Sequence, residues 1–426
     1  MAKRNCIHDL VRVLAVTCLV GSIANCVRAD DENDPGNQFS DRAEVVVRSI
    51  DGETISGALL ALDAETLIFR TNDADERSLP LSEVMSITQS SNAESTAETP
   101  PLVLLANDDV LCGVVTSLDD ETLTLDWQVT SPATSVSVPL EHVRSIVFRQ
   151  PREPLRRSRI QRIWALLETK SDRLISTDYT HVDGELTALN ERRVKLKTPL
   201  GEVSNSSKDL FAVILNSELT SVPTPESSYV LGMLKDGSRV TWDTWQLTEE
   251  GRLSGTTVWG TPLSVPADQI EQLQFLGDRI VAVAELPPRE YQFTPYLTEQ
   301  HPLVRNRNVQ GGPLRVRGTW FATGLGVHSQ SAVTYDLTVG RYQQFLAVIG
   351  VDDLTQGGGN VVFAVEVDGQ RAYESPTLTG RSPATPIEPV DVTGAKSLKL
   401  IVEFGDSANI GDVANWCDLV LIKAAN

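Results

Sequence analysis

Along most of this chain apolar residues alternate with polar ones in short runs, and a period of two is the mark of half-buried β-strands. Leu67 and Phe69 place two side chains on one face, and Leu123 and Leu125 do the same. Between such runs stand Asp63-Ala64-Glu65, Asp119-Asp120-Glu121 and Asn190-Glu191-Arg192, which carry turn chemistry because Asp and Asn side chains accept from backbone amides just ahead of them. The expected fold class is all-β.

The alternation is organised into a repeat. Gly57 is followed by Leu62, Leu67 and Phe69 at offsets of five, ten and twelve residues. Gly113 is followed in the same way by Leu118, Leu123 and Leu125, and Gly184 by Leu189, Val194 and Leu196. Two copies close on a second signature, Leu79-Pro80 with Val84 and Ile87, then Val138-Pro139 with Val143 and Ile146; the third copy shows no counterpart. A fourth, degenerate copy runs through Asp236-Gly237, Leu247, Leu253, Val265-Pro266, Ile270 and Leu273. The pattern predicts repeats over 43–90, 101–149, 160–218 and 227–276, each glycine marking a bend or bulge. Such units resemble the SH3-like and Sm-like small barrels. The glycines lie 56 and then 71 residues apart, which favours tandem barrels, each with its own small core, over a stack of fixed period. Leu123 and Leu189 are expected inside those cores, and a cut near Pro151 to Arg157 is expected to release two folded halves. Sm-like barrels often bind RNA, but that needs stacking aromatics and basic loops, and these turns are acidic.

From about Arg289 the texture changes. Glycine-rich runs appear, Gly311-Gly312-Pro313-Leu314 and Thr323-Gly324-Leu325-Gly326-Val327-His328-Ser329. Phe345 to Asp353 forms a core-like strand ending in Gly350-Val351-Asp352-Asp353, and Val361 to Gly369 forms a second; the chain closes on Asn415-Trp416-Cys417-Asp418. In this order the motifs resemble the NPCBM family of carbohydrate-binding modules. The resemblance implies a galactose-binding-like β-sandwich of jelly-roll type over 286–426, following the tandem small β-barrels. It also implies a glycan or polysaccharide partner, with a galactose-type sugar suspected. Candidate contacts are His328, Asp352, Asp353, Trp416 and Asp418, with Trp320 as an alternative stacking ring. Each has a structural reading beside the functional one: His328 as a hydrogen-bonding strand residue, Trp416 as core, Asp352-Asp353 as a loop cap. The same two carboxylates are candidate calcium ligands, since calcium takes hard oxygen donors. A histidine common in the family shortly before the tryptophan is replaced here by Val413-Ala414-Asn415, a departure within the region of the expected site.

Composition narrows the function. The chain has 426 residues and a formal charge of −20, the wrong sign for a nucleic-acid partner. Residues 1–29 read as an export signal: Lys3 and Arg4, an apolar stretch from Leu10 to Ala24, and Val27-Arg28-Ala29 before Asp30. Asn25 makes a poor lipobox before Cys26. Residues 30–42 read as a flexible leader, and the expected location is secreted, periplasmic or cell envelope, with no membrane span. Cys112 and Cys417 lie in apolar runs and read as buried free thiols. The cluster Arg149, Arg152, Arg156, Arg157, Arg159 and Arg162 reads as a solvated linker or as a contact for an acidic surface. Nucleophile, dinucleotide and P-loop motifs are missing from the sequence, and adjacent carboxylates make a poor glycosidase pair. The expectation is a secreted, non-catalytic carbohydrate-binding protein whose repeats serve as a spacer or a platform for a protein partner. Its alternatives are an extracellular protein–protein scaffold and an accessory subunit of a glycan-degrading enzyme.

Overall fold

The computed structural model describes residues 44–424 apart from 64, 74, 90–100, 120, 128, 130–133, 150–167, 179, 249, 297, 299 and 407–409. The expected signal and leader, and the arginines from Arg152 to Arg162, lie outside these residues. Residues 44–89, 102–147, 172–214 and 229–276 each fold into five antiparallel strands, with a single 3-10 turn between the fourth and fifth. In every unit the first strand lies between the second and the fifth, which curls the meander back on itself. The turn before the third strand is held as its residues require: Asp63 Oδ1 accepts from the amides of Glu65 and Thr66, Asp119 Oδ1 from Glu121 and Thr122, and Asn190 Oδ1 from Arg192 and Arg193.

The third copy does carry the closing signature. Leu210 and Val213 stand four and seven residues after Ser206, as Val84 and Ile87 stand after Pro80. Ser206 has φ −70° and ψ 135°, close to the −59° and 134° of Pro80, and its hydroxyl accepts from the Lys208 amide. A capping serine thus replaces a ring-locked proline on the same backbone.

The degenerate fourth copy is explained by an exchange of volume between two strands. The fourth residue of the second strand is Gly57, Gly113 or Gly184 in the first three copies, and the fourth residue of the third strand is Phe69, Leu125 or Leu196. A Cβ on those glycines would meet the carbonyl oxygens of Arg70, Asp126 and Lys197 at 2.1, 2.7 and 2.4 Å. In the fourth copy the same two places hold Trp242 and Gly255. Trp242 is fully buried, and a Cβ on Gly255 would lie 1.8 Å from the Thr244 carbonyl oxygen. Close approach of the strands therefore persists while the large and small partners change sides.

Strands of different units pair with one another, which differs from the expectation of separate barrels. Val143–Val147 pairs with Leu210–Ile214, joining the second unit to the third, and Val84–Gln89 pairs with Ile270–Leu276, joining the first to the fourth. One apolar core runs through all four, from Val47 and Phe69 through Leu111 and Leu123, Leu174 and Leu189, to Val230 and Val265. A protease site engineered between Pro151 and Arg157 should therefore yield halves that remain together. Size-exclusion chromatography of the cleaved protein should show one peak at the intact mass, and two independent folded halves would contradict the shared core.

The remaining strands form a sandwich. One sheet runs Val304–Arg305, Gly324–His328, Val413–Lys423, Tyr342–Val351 and Thr385–Pro386. The other runs Glu290–Phe293, Ser331–Asp336, Ser397–Phe404, Asn360–Val367 and Gln370–Glu374. Phe345, Ile349, Phe363, Val365, Leu400, Trp416 and Leu421 fill the space between them. The strand Ile280–Ala282 pairs with Val420 to Ile422, so this unit begins before the boundary at 286. Its outer face is covered too: Leu346, Val420 and Ile422 pack on Met85, Leu231, Met233 and Leu276 of the repeats. Cys112 and Cys417 are buried free thiols.

Candidate functional site

Three of the expected site residues converge at one end of the sandwich. Gly324–His328 ends with His328 opposite Val413, and the Asp352 amide, just past Tyr342–Val351, donates to the Val413 carbonyl at 2.8 Å. Sheet order thus brings His328 beside Asp352 and Asp353 across the start of Val413–Lys423.

Asp352 is buried and fully engaged. Its Oδ1 accepts from Asn308 Nδ2 at 3.1 Å and the Leu354 amide at 2.9 Å, and its Oδ2 from Asn415 Nδ2 at 2.6 Å and the Arg315 amide at 3.3 Å. Burial pushes its carboxyl up to about 6, against the pull of those donors. Asp353 accepts from the amides of Arg317 and Gly318 at 2.7 and 2.8 Å and pairs with Arg315 Nε at 3.4 Å. Both side chains therefore fasten the hairpin Leu314–Val316 and Thr319–Phe321 to the sandwich. N–H donors crowd their oxygens, an arrangement that does not fit calcium, which needs those oxygens for itself. Among the described residues no cluster of three or more His, Cys, Asp or Glu could hold a metal ion.

His328 occupies a different setting. Its ring stacks on His301 with centroids 4.2 Å apart and planes 7° from parallel, and Phe293 meets both rings edge-on at 5.4 and 6.3 Å. Nδ1 donates to the Ser329 carbonyl at 3.0 Å, which selects the tautomer protonated there. Next to it, Ser329 Oγ donates to Asp412 Oδ2 at 2.5 Å and the Asn360 amide to Asp412 Oδ1 at 2.9 Å. Burial raises the Asp412 carboxyl above its ordinary range, while Ser329, the Asn360 amide and His328 draw it down. On this end Tyr296 is 56% exposed and sits edge-on to Phe404 at 6.0 Å. The loop of Gly357 to Gly359 lies so close to that of Gly411 that a Cβ on Gly359 would reach the Gly411 oxygen at 2.1 Å.

Trp416 and Asp418 point elsewhere. Trp416 is enclosed between the sheets with Phe363 edge-on at 5.1 Å, so its ring offers no face to a ligand. Asp418 is buried against the repeats, where its Oδ2 accepts from Gln272 Nε2 at 2.6 Å. Trp320 packs on that same junction, with the Arg315 guanidinium 5.2 Å from its ring.

The model of the NPCBM/NEW2 domain matches residues 283–422. This stretch is an NPCBM/NEW2 domain. It covers a third of the chain; the repeats lie outside it. A Renibacterium salmoninarum protein named "Putative endo-alpha-N-acetylgalactosaminidase" is 33% identical over 115 residues, which are 27% of this chain and 8% of that protein. Among solved structures, the chain is similar to CBM51 of a Clostridium perfringens GH95 protein in complex with methyl-galactose, at 22% identity over 33% of this chain and 99% of that one, TM-score 0.30. It is also similar to CBM51-2 with GlcNAc and INT domains of Clostridium perfringens ZmpB, at 23% identity over 40% and 36% of the two chains, TM-score 0.31.

At the loop end of the NPCBM domain, the residues not foreseen are His301, Ser329, Asn360, Asp412 and Tyr296. They come from segments around strand ends, where no period marks a side chain's direction. The adjacency of Ser329 to His328 was the one signal available.

Proposed function

We propose that the NPCBM domain binds a glycan of galactose type at this loop end, as the binding unit of an exported, non-catalytic protein. The observation that carries the reading is one exposed ring, that of Tyr296, at the end of the sandwich where the His301–His328 stack is buried. An exposed aromatic, Tyr296, stands at the end of the sandwich that also holds the Ser329–Asp412 pair. A sugar needs an apolar plane for its C–H face and fixed polar groups for its hydroxyls. Tyr296 would supply the plane and the edge of His328 would meet a hydroxyl, with the buried Ser329–Asp412 pair holding that strand end in place. Asp352 and Asp353 act behind them, holding the loops in place. The repeats serve as the platform on which the domain is mounted. No helix among the described residues is long and apolar enough to cross a membrane.

A glycan array with the full chain should show binding to terminal galactose or N-acetylgalactosamine, the latter prompted by the name of the curated relative. Dissociation constants should be high micromolar to millimolar, since a few contacts give only about −4 kcal/mol. Tyr296→Ala and His328→Ala should each weaken binding about tenfold, the loss expected from one ring or one hydrogen-bonding group. Unchanged binding in both variants would place the site elsewhere, and glycan hydrolysis by the wild type would overturn the non-catalytic reading.

A further inference from the structure

A cavity lies far from this end, where the fourth repeat hands the chain to the sandwich. It measures about 110 Å³ and is lined by Leu81 and Ser82 of the first repeat, Ser228, Tyr229, Trp245 and Phe275 of the fourth, and the turn of Gly277 to Ile280. Its floor is aromatic: Trp245 and Phe275 lie 6.5 Å apart with planes at 55°. Its rim is polar, with Ser82, and with Ser228 donating to the exposed Asp278 carboxylate. The turn is tightly built. Asp278 has φ 45°, Gly277 has φ 97°, and a Cβ on Gly277 would strike Ser228 Cα at 2.6 Å.

Trp245 has no counterpart in the other repeats. The seventh residue of the second strand is Leu60, Thr116 or Thr187 elsewhere. Thr116 and Thr187 donate to carbonyls of their own units, those of Thr124 and Lys195. The indole of Trp245 makes no such bond: its Nε1 is shielded from water and has no hydrogen-bond partner among the described residues.

We propose that this cavity is a second saccharide site, which takes one neutral sugar unit with its C–H face on Trp245. The apolar floor suits the ring face, and Ser82 and Asp278 suit hydroxyls at the rim. Arg279 also lines the cavity, but its Nε turns to the Lys423 carbonyl at 3.4 Å, while the exposed Asp278 carboxylate at the rim disfavours an acidic sugar. The site stands apart from the one at the loop end of the sandwich, so either can fail without the other.

The test uses the full chain with ¹⁵N-labelled tryptophan. The Trp245 Nε1–H resonance is the one missing from Trp245→Phe. Galactose, N-acetylgalactosamine and N-acetylglucosamine are the neutral probes, and glucuronate is the charged one. At least one neutral sugar should move the Trp245 resonance saturably, and glucuronate should do so at least about tenfold more weakly. Asp278→Asn, which tolerates the left-handed backbone, should weaken the response about tenfold, as loss of a hydrogen bond to a charged group predicts. His328→Ala should leave it unchanged. A Trp245 resonance that no sugar moves overturns the proposal. So does one that answers glucuronate equally, that ignores Asp278→Asn, or that disappears with His328→Ala.

Discussion

Replacing Asp109 by alanine should destabilise the folded chain by about 3–5 kcal/mol, because it leaves a buried arginine without its counter-charge. Asp109 is completely buried in the second repeat, and its Oδ1 meets Arg239 Nη1 of the fourth repeat at 2.8 Å. The same carboxylate accepts from the Thr241 hydroxyl at 2.7 Å and the Thr241 amide at 2.9 Å. Arg239 in turn donates through Nε to the Ala322 carbonyl of the sandwich at 2.8 Å. One ion pair thus ties together two repeats and the NPCBM domain. Burial raises the Asp109 carboxyl and Arg239 opposes that rise, so the pair is held by mutual compensation. Removing both charges, as Asp109→Ala with Arg239→Met, should cost clearly less than the two single losses added together. Urea midpoints of the four proteins measure this. A cost below about 1 kcal/mol for Asp109→Ala, or simple additivity, would show that the pair does not carry the junction.

That junction was not legible in the sequence, and the reason is physical. Arg48, Ser86, Gln272 and Gln274 alternate with the core residues of their strands, so a period-two reading sends them to solvent. They do leave the repeat core, but the sandwich covers them: Gln272 reaches Asp418 and the Ala322 amide, and Gln274 accepts from Thr323 Oγ1 at 2.6 Å. Binary pattern records which face is apolar and cannot register a second domain seated on the polar one.

Trp416 and Asp418 show the other limit. Two residues apart, they would share a face of a regular strand. Register shifts between Leu346 and Val348, however, and Asp418 takes φ 45°. This bulge moves the inward positions from Ala414 and Trp416 to Leu419 and Leu421, and it turns Asp418 to the repeats. Where spacing is regular, the sequence was sufficient. The offsets after Gly57, Gly113 and Gly184 mark the second and third strands of three units, and Leu123 and Leu189 are buried as the pattern requires. The glycine–valine–aspartate corner does end a core strand, but as a fastening for the loops behind the site.

Stability should rise as the pH falls from about 7.5 to about 5, the reverse of what salt-bridged carboxylates produce. Asp418, like Asp352, is pushed up to about 6 by burial, although Arg48 and Gln272 draw it down. Against an ordinary value of 3.8, the native chain holds these two protons through a window in which the unfolded chain has released them. More protons are then bound by the native state, so unfolding free energy falls as pH rises through that window. A rise of about two pKa units corresponds to about 3 kcal/mol for each carboxyl. Burial raises Asp109, Asp236 and Asp412 as well, in the same sense. Asp51, Asp178, Asp183, Asp336, Asp368 and Asp391 are lowered, chiefly by hydrogen bonds. What they contribute is present above 3.8 and lost below it, which sets the acid limit and places the maximum at about pH 4–6. Relief of repulsion on a chain of charge −20 acts in the same direction, so the decisive comparison is a variant. Asp418→Asn keeps an acceptor for Gln272 and removes one titrating group, and it should lower the pH dependence between pH 4.5 and 7.5 by about 2 kcal/mol, the part of that linkage lying above pH 4.5. Urea titrations of both proteins across this range measure the difference. Identical pH profiles for wild type and variant would mean that Asp418 titrates as an ordinary surface carboxyl, and that water reaches the junction between the repeats and the NPCBM domain.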